Sequence, residues 1–411
     1  MKRCIKLVTA KASLGSGVQT VTDIVDPTDG LPFEGKFAWL IAGYFLENTF
    51  RAWFNYNQGF DNAVVHHGMG TGEIEQFGTR IASSGGGNRS LVDIGGNAFF
   101  GGDIFRKAYV SAFRSGELDI TYDTNDRTGD VFILVVVGGT DLSVAIGEAV
   151  AGATSTTFEP KGIIFKNQLN ASSSPTVSGG GLGSFGLAAN DYNNGTLDFI
   201  MESPGGPNGR YQRVDKAVSR LSSSTVVAAE AAVTAWDPTG FTLGAGVFGA
   251  SYAAFGGADI RAASGNEVQE IATGEVDINT GIACRLFIAA SVGKTAGTTI
   301  DTTQAEISIG VFDGTNQLRS WAGESQSLPS LTGARYVDQA GLLGFATPAA
   351  GATTFNSSLT GVSVDTHTGI VKLNWASTDG ALREWFWLAL GEGVEPPLIP
   401  PIAGCVPSLP N

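Results

Sequence analysis

Val131-Phe132-Ile133-Leu134-Val135-Val136-Val137 is an unbroken apolar run with five β-branched residues. It has strand length and no helical spacing, so it reads as a β-strand. A turn signal precedes it, running from Asp123 to Thr128-Gly129. Asp caps a turn with its own carboxylate, and Gly accepts the positive φ that a reversal needs. The same signal stands at Asp237-Pro238-Thr239-Gly240 and from Asp365 to Thr368-Gly369. From Gly129 to Gly240 is 111 residues and from Gly240 to Gly369 is 129. That spacing is domain-sized, and it makes the three glycines markers of equivalent hairpins.

Three further landmarks recur in the same order. An apolar strand follows a polar lead at Phe33 to Ile41, Phe158 to Phe165 and Gly281 to Ile288. A Gly stands two residues after a polar one in His66-His67-Gly68, Ser184-Phe185-Gly186 and Ser308-Ile309-Gly310. A closing strand ends at Gly in Ser143 to Gly147, Tyr252 to Gly256 and Trp387 to Gly391. Many short strands separated by turn clusters predict an all-β chain of three tandem β-sandwich or jelly-roll-like domains. Small and polar residues near Glu148 to Ser155 and Ala272 to Asp277 place the domains at 1–150, 151–275 and 276–393. Only Val226 to Ala235, rich in alanine, reads equally as helix or strand.

Residues 394–411 differ. Six of the 15 prolines, from Pro396 to Pro410, fall in the last 16 residues. Such a segment is neither helix nor inner strand, and it is expected to be an extended Pro-rich arm, either a solvated tail or one that docks on a neighbour. Two Gly/Ser stretches, Ser83 to Asn88 and Ala171 to Gly183, read as exposed tips or assembly contacts.

Composition narrows function. A length of 411 residues exceeds one ordinary core. Charged residues are only 16% and Gly is 57 of 411, so turns and wide uncharged surfaces dominate. A net charge of −14 opposes binding to nucleic acid or to anionic membranes. Lys6 and Lys11 interrupt the opening segment, and no apolar stretch reaches the ~20 residues of a membrane helix. Cys4, Cys284 and Cys405 lie far apart and form no disulfide framework or metal knuckle.

Chemistry-bearing motifs fail one by one. Gly181 to Gly186 and Gly244 to Gly249 match G-x-G-x-x-G, but the residues that follow read as strand where a nucleotide site needs a helix. Gly293-Lys294-Thr295 lacks the first Gly of a phosphate loop, because Ile288 stands there. His66 and His67 are adjacent, so on a strand they point to opposite faces; His367 sits in a turn. The oxygen-rich loops Asp123 to Asp130 and Asp191 to Asp198 depart from the EF-hand pattern and read as Asx-turns. No catalytic residue, cofactor or metal is expected.

Phe158-Glu159-Pro160-Lys161-Gly162-Ile163-Ile164-Phe165, followed by Trp236 to Gly244, resembles Gly-rich domains of tailed-bacteriophage virion proteins. The likeness runs over about 158–260, extends less closely over 276–392 through Asn374-Trp375 and Trp385 to Gly391, and weakens in the first copy, where Gly35 replaces Pro. It implies a non-enzymatic structural component of the virion surface, made in the host cytoplasm, either a capsid decoration or a tail-associated protein. Its partners would be other virion proteins and copies of itself. The alternative is a tail fibre or tip adhesin, with Trp39, Trp53, Trp321, Trp375, Trp385 and Trp387 available to stack on host glycan.

Overall fold

A computed structural model describes residues 1–48, 51–76, 79–87, 89–95, 103–125, 131–167, 178–179, 181–190, 194–201, 208–246, 250–295, 299–302, 304–325, 332–346 and 355–394. Every regular element among them is a β-strand. The first ten are β1 (Lys2–Thr9), β2 (Gly17–Val21), β3 (Gly35–Asn48), β4 (Arg51–Asp61), β5 (His66–Gln76), β6 (Thr79–Gly87), β7 (Leu91–Gly95), β8 (Asp103–Arg114), β9 (Glu117–Asn125) and β10 (Val131–Gly138). Next come β11 (Ser143–Ala149), β12 (Gly152–Ser155), β13 (Pro160–Asn167), β14 (Ser178–Gly179), β15 (Gly181–Ala189) and β16 (Asn194–Met201). They continue with β17 (Asn208–Arg213), β18 (Val218–Ser223), β19 (Val226–Ala231), β20 (Val233–Asp237), β21 (Gly240–Leu243) and β22 (Ala250–Gly256). The last ten are β23 (Ile260–Val268), β24 (Gly274–Asn279), β25 (Ala283–Ser291), β26 (Gln304–Phe312), β27 (Gln317–Ser325), β28 (Thr332–Asp338), β29 (Leu343–Phe345), β30 (Ser357–Asp365), β31 (Ile370–Ser377) and β32 (Glu384–Glu392).

One antiparallel pairing scheme occurs three times. The large sheets run β1-β10-β3-β4-β5-β6, with the two-residue β14 added at the β6 edge, then β11-β22-β13-β15-β16-β17 and β23-β32-β25-β26-β27-β28. In each, the closing strand lies between the opening strand and the next strand of that sheet. Small sheets run β2-β9-β8-β7 and β24-β31-β30-β29. Between them in sequence, β12-β21-β20 and β18-β19 follow the same order, because β19 and β20 are separated only by Ala232. The stretch from Val226 to Ala235, ambiguous in sequence, is therefore strand.

The opening run shows why the chain folds this way. In β10, Phe132, Leu134 and Val136 pack with Cys4, Val8, Leu40, Val110, Ile120 and Tyr122, between the large and small sheets. Ile133, Val135 and Val137 point the other way. A strand with apolar packing on both faces shows no alternation. β22 and β32 behave alike: Tyr252 and Ala254 face Phe241 and Val233, while Trp385 and Trp387 share a core with Trp375 and Phe345.

The opposite faces of all three large sheets meet in one central core. It contains Trp39 and Ile133, then Ile164 and Phe185, then Ile288, Ile309 and Phe386. Trp39 stacks on Phe185 at 5.5 Å between centroids, and Phe185 stacks on Phe386 at 6.4 Å. Neighbouring groups touch through equivalent strands: β11 meets β3 and β5, β23 meets β13 and β16, and β1 meets β25 and β27. The last contact joins the third group to the first. The three groups thus close into a ring around a pseudo-threefold axis.

Backbone repeats mark the same symmetry. A Cβ added at Gly59, Gly186 or Gly310, in β4, β15 and β26, would lie 1.5, 1.9 and 1.6 Å from the carbonyl oxygens of Ser90, Ala217 and Leu342. Those carbonyls immediately precede β7, β18 and β29. Only glycine lets the sheets approach this closely.

Several landmarks need correction in the first copy. Gly59, not Gly68, is the counterpart of Gly186 and Gly310. Gly116, between β8 and β9, is the counterpart of Gly240 and Gly369, whereas Thr128-Gly129 lies outside the described residues. Ser143 to Gly147 does not close the first group; as part of β11 it pairs with β22. Gly138 is the closing glycine. The expected boundaries near 150 and 275 coincide with the β11–β12 and β23–β24 turns, because those turns have linker-like composition. The connections between groups, 139–142 and 257–259, are too short to leave a compositional signal. The Pro-rich segment falls almost wholly outside the described residues.

Candidate functional site: the three seams

Three buried cationic side chains, Lys166, Arg210 and Arg3, lie where the groups meet. At the first seam Lys166 of β13 is 2% exposed, and its ammonium donates to the carbonyls of His67 and, at 3.4 Å, Gln58. It also sits 4.7 Å from the Phe60 ring centroid. Gln58 donates its amide to the Ser184 carbonyl at 2.8 Å. Burial lowers the Lys166 pKa well below its ordinary value, against the pull of Asp61. Burial, then Lys166, then His66 push His67 down to about 4, so its imidazole is neutral at pH 7.

At the second seam Arg210 of β17 reaches into the third group. Its guanidinium donates to Glu306 Oε2 at 2.8 Å, to the Val292 carbonyl at 3.0 Å and to Asp301 Oδ2 at 2.7 and 2.9 Å. Backbone hydrogen bonds join Arg210 and Asp301 as well. Glu306 is 2% exposed; burial raises its pKa and Arg210 opposes that rise. Trp321 Nε1 donates to its other oxygen at 2.8 Å. At the third seam Arg3 of β1 donates to Asp26 at 3.0 Å and to the Asp313 carbonyl, across the ring, at 2.7 Å.

These arrangements bind cation to carboxylate or carbonyl; they are suited to joining sheets, not to moving protons. A buried ion pair adds little net stability but is costly to break from one side. Arg210→Met is expected to destabilise the protein by about 3–5 kcal/mol, measured by denaturant unfolding. A change below ~1 kcal/mol would show that the second seam does not depend on this pair.

One buried acid lies away from the seams. Asp198 of β16 is 0% exposed, accepts a hydrogen bond from Ser219 and is pushed by burial up to about 8. An acid with a raised folded pKa binds more protons folded than unfolded, so its contribution to stability falls as pH rises from about 4 to 8. Asp198→Asn is therefore expected to raise the melting temperature more at pH 8 than at pH 5. An equal shift at both pH values would contradict the assignment.

The residues weighed for chemistry are dispersed. His66 Nδ1 lies 2.9 Å from Asp61 Oδ2, and His67 Nδ1 lies 3.9 Å from Glu148 Oε1 of β11, across the first seam. His367 donates its backbone N–H to Asp365 at 2.9 Å, an Asx-turn as expected. Asp123 is engaged by Arg89 at 2.7 Å. Asp191 lies outside the described residues. Gly181 to Gly186 is part of β15, and β14 just before it pairs with β6 across the first seam. Among the described residues no helix follows Gly293 and Lys294. Cys4 and Cys284 are buried free thiols, and burial raises Cys284 to about 12. A cavity of about 500 Å³ is lined by Phe33, Glu34, Gly35, Lys36, Gly139 and Thr140. Lys36 there ties the first linker by donating to the Leu142 carbonyl at 2.8 Å. Among the described residues, no three His, Cys, Asp or Glu gather in a metal-holding group, and no helix is long and apolar enough to cross a membrane.

The seams were missed in sequence because Lys166, Arg210 and Arg3 stand in ordinary strand contexts.

No family model matches the chain, and neither a curated protein nor a solved structure matches it.

Proposed function

We propose that this chain is a non-enzymatic structural component of a bacteriophage virion, carried on the particle surface as a capsid decoration or tail-associated protein, and built from three tandem β-sandwich domains. The observation that supports it most is the ring. One chain repeats a single pairing scheme three times and commits one face of each large sheet to a shared core. That arrangement gives one polypeptide the symmetry of a trimer, which suits a part that must fit a symmetric assembly. Lys166, Arg210 and Arg3 are buried charges that tie the seams, and the low charge with abundant Gly suits broad contact with neighbouring subunits.

Five of the six tryptophans that motivate the adhesin alternative are buried. Trp39, Trp321, Trp375 and Trp385 are at most 1% exposed and Trp387 is 6%. The Trp53 side chain lies outside the described set. Stacking on glycan requires an open indole face. Immunogold labelling of purified particles tests the proposal: gold at regular surface positions is expected, and particles that never label while denatured ones react on a blot would place the protein inside instead.

A further inference from the structure

The turns after the three opening strands share a construction. Gly17, Gly152 and Gly274 begin β2, β12 and β24 with φ of +141°, +107° and +147°. Two or three residues before each stands a large aliphatic side chain held in solvent: Leu14 is 64% exposed, Val150 58% and Ile271 66%. A singly exposed aliphatic residue is ordinary on a protein surface. Three at equivalent turns of a closed ring are not accounted for by that, since nothing in the turn chemistry asks for an apolar residue there. Leu382, 53% exposed, enlarges the third position, because its segment is tied to the β23–β24 turn by hydrogen bonds from Gln269 N to the Arg383 carbonyl and from Thr378 Oγ1 to the Glu270 carbonyl.

We propose that Leu14, Val150 and Ile271 form a three-point docking surface for a different protein with threefold symmetry, seated on the pseudo-threefold axis. This rests on the structural reading above. Positions related by a threefold rotation lie at one height and one radius, so a coaxial homotrimer presents three identical sockets to them. A trimer of another arrangement, or a monomer, meets only one. A second copy of this chain is the less favoured occupant, because it would bring −14 against −14. The partner's sockets are apolar, and its rim is neutral or basic.

The test uses the full chain and purified particles that lack it. Wild type and the triple variant Leu14→Asp/Val150→Asp/Ile271→Asp are compared for rebinding to those particles, after matching melting temperatures establish that both are folded; three exposed sites make folding of the variant expected. Each single substitution should weaken rebinding by about tenfold or more and the triple should abolish it, the singles being similar in size. Light scattering of wild type alone should give a monomer. Wild type that binds particles while the triple variant binds equally well overturns the docking surface and leaves the virion reading standing. Wild type that does not bind particles overturns both. A dimer that the triple variant dissolves assigns the surface to a second copy and overturns the partner named here. If the triple variant does not fold, the single variants decide: one site that matters and two that do not overturns the threefold partner.

Discussion

A fragment of residues 1–141, expressed alone, is expected not to give a stable monomer. It would keep both sheets of the first group and the core that joins them, yet it would expose the face that carries Phe37, Trp39, Ile41, Ile133, Val135 and Val137, all at most 1% exposed in the whole chain. Burying one such side chain contributes roughly 1.5–3 kcal/mol, so six amount to about 9–18 kcal/mol, comparable to the whole ~5–15 kcal/mol of net stability that a domain usually holds. Aggregation, or self-association into a homotrimer that rebuilds the ring, is the expected behaviour in analytical ultracentrifugation. A cooperative, soluble monomer would mean that the central core is dispensable.

Gly310→Val is expected to prevent recovery of folded protein. The Cβ would stand 1.6 Å from the Leu342 carbonyl carbon's oxygen, and the obstacle is backbone that cannot rotate away. Separating the sheets to make room would disturb the packing of Val311 and Leu342 and, through them, both cores. The cost should exceed about 4 kcal/mol, beyond what an ordinary substitution carries. Gly59→Val and Gly186→Val should behave alike, since each meets an equivalent carbonyl. Thermal unfolding and soluble yield check this, and a variant that melts within ~5 °C of wild type would show that the sheets can part cheaply.

How much of this was legible in sequence depends on what each signal measures. The all-β character came directly from Val131 to Val137 and runs like it. The strands beginning near Phe33, Phe158 and Gly281 were found in all three copies, because β3, β13 and β25 pack on two faces and so are uniformly apolar. Glycines were less reliable guides. Gly186 and Gly310 were recognised, but His66-His67-Gly68 displaced Asn57-Gln58-Gly59 in the first copy, since a glycine pressed against a distant carbonyl looks the same in sequence as its cross-strand partner Gly68 in β5. The boundaries expected near 150 and 275 fall at the β11–β12 and β23–β24 turns, where Gly152 and Gly274, with positive φ, have the composition of linkers.

The ring itself was not legible. Its evidence is the pairing of residues far apart, such as Arg3 with the Asp313 carbonyl or Trp39 with Phe185, and no local pattern reports that. The seam cations were hidden for a related reason: Lys166 follows Ile163-Ile164-Phe165 as any strand-ending lysine might, and only its neighbours from β4 and β5 make it buried. The tryptophans misled in the opposite direction, since indoles that could stack on sugar also fill cores, and here the described ones inside strands do the latter.

Quantitative mass spectrometry of purified virus particles tests the functional proposal most directly. A surface structural component should be present in every preparation at a fixed copy number, with a ratio to the major capsid or tail protein that matches one chain per threefold or sixfold site. Absence from washed particles, with the chain recovered only in the soluble fraction of lysed cells, would contradict it.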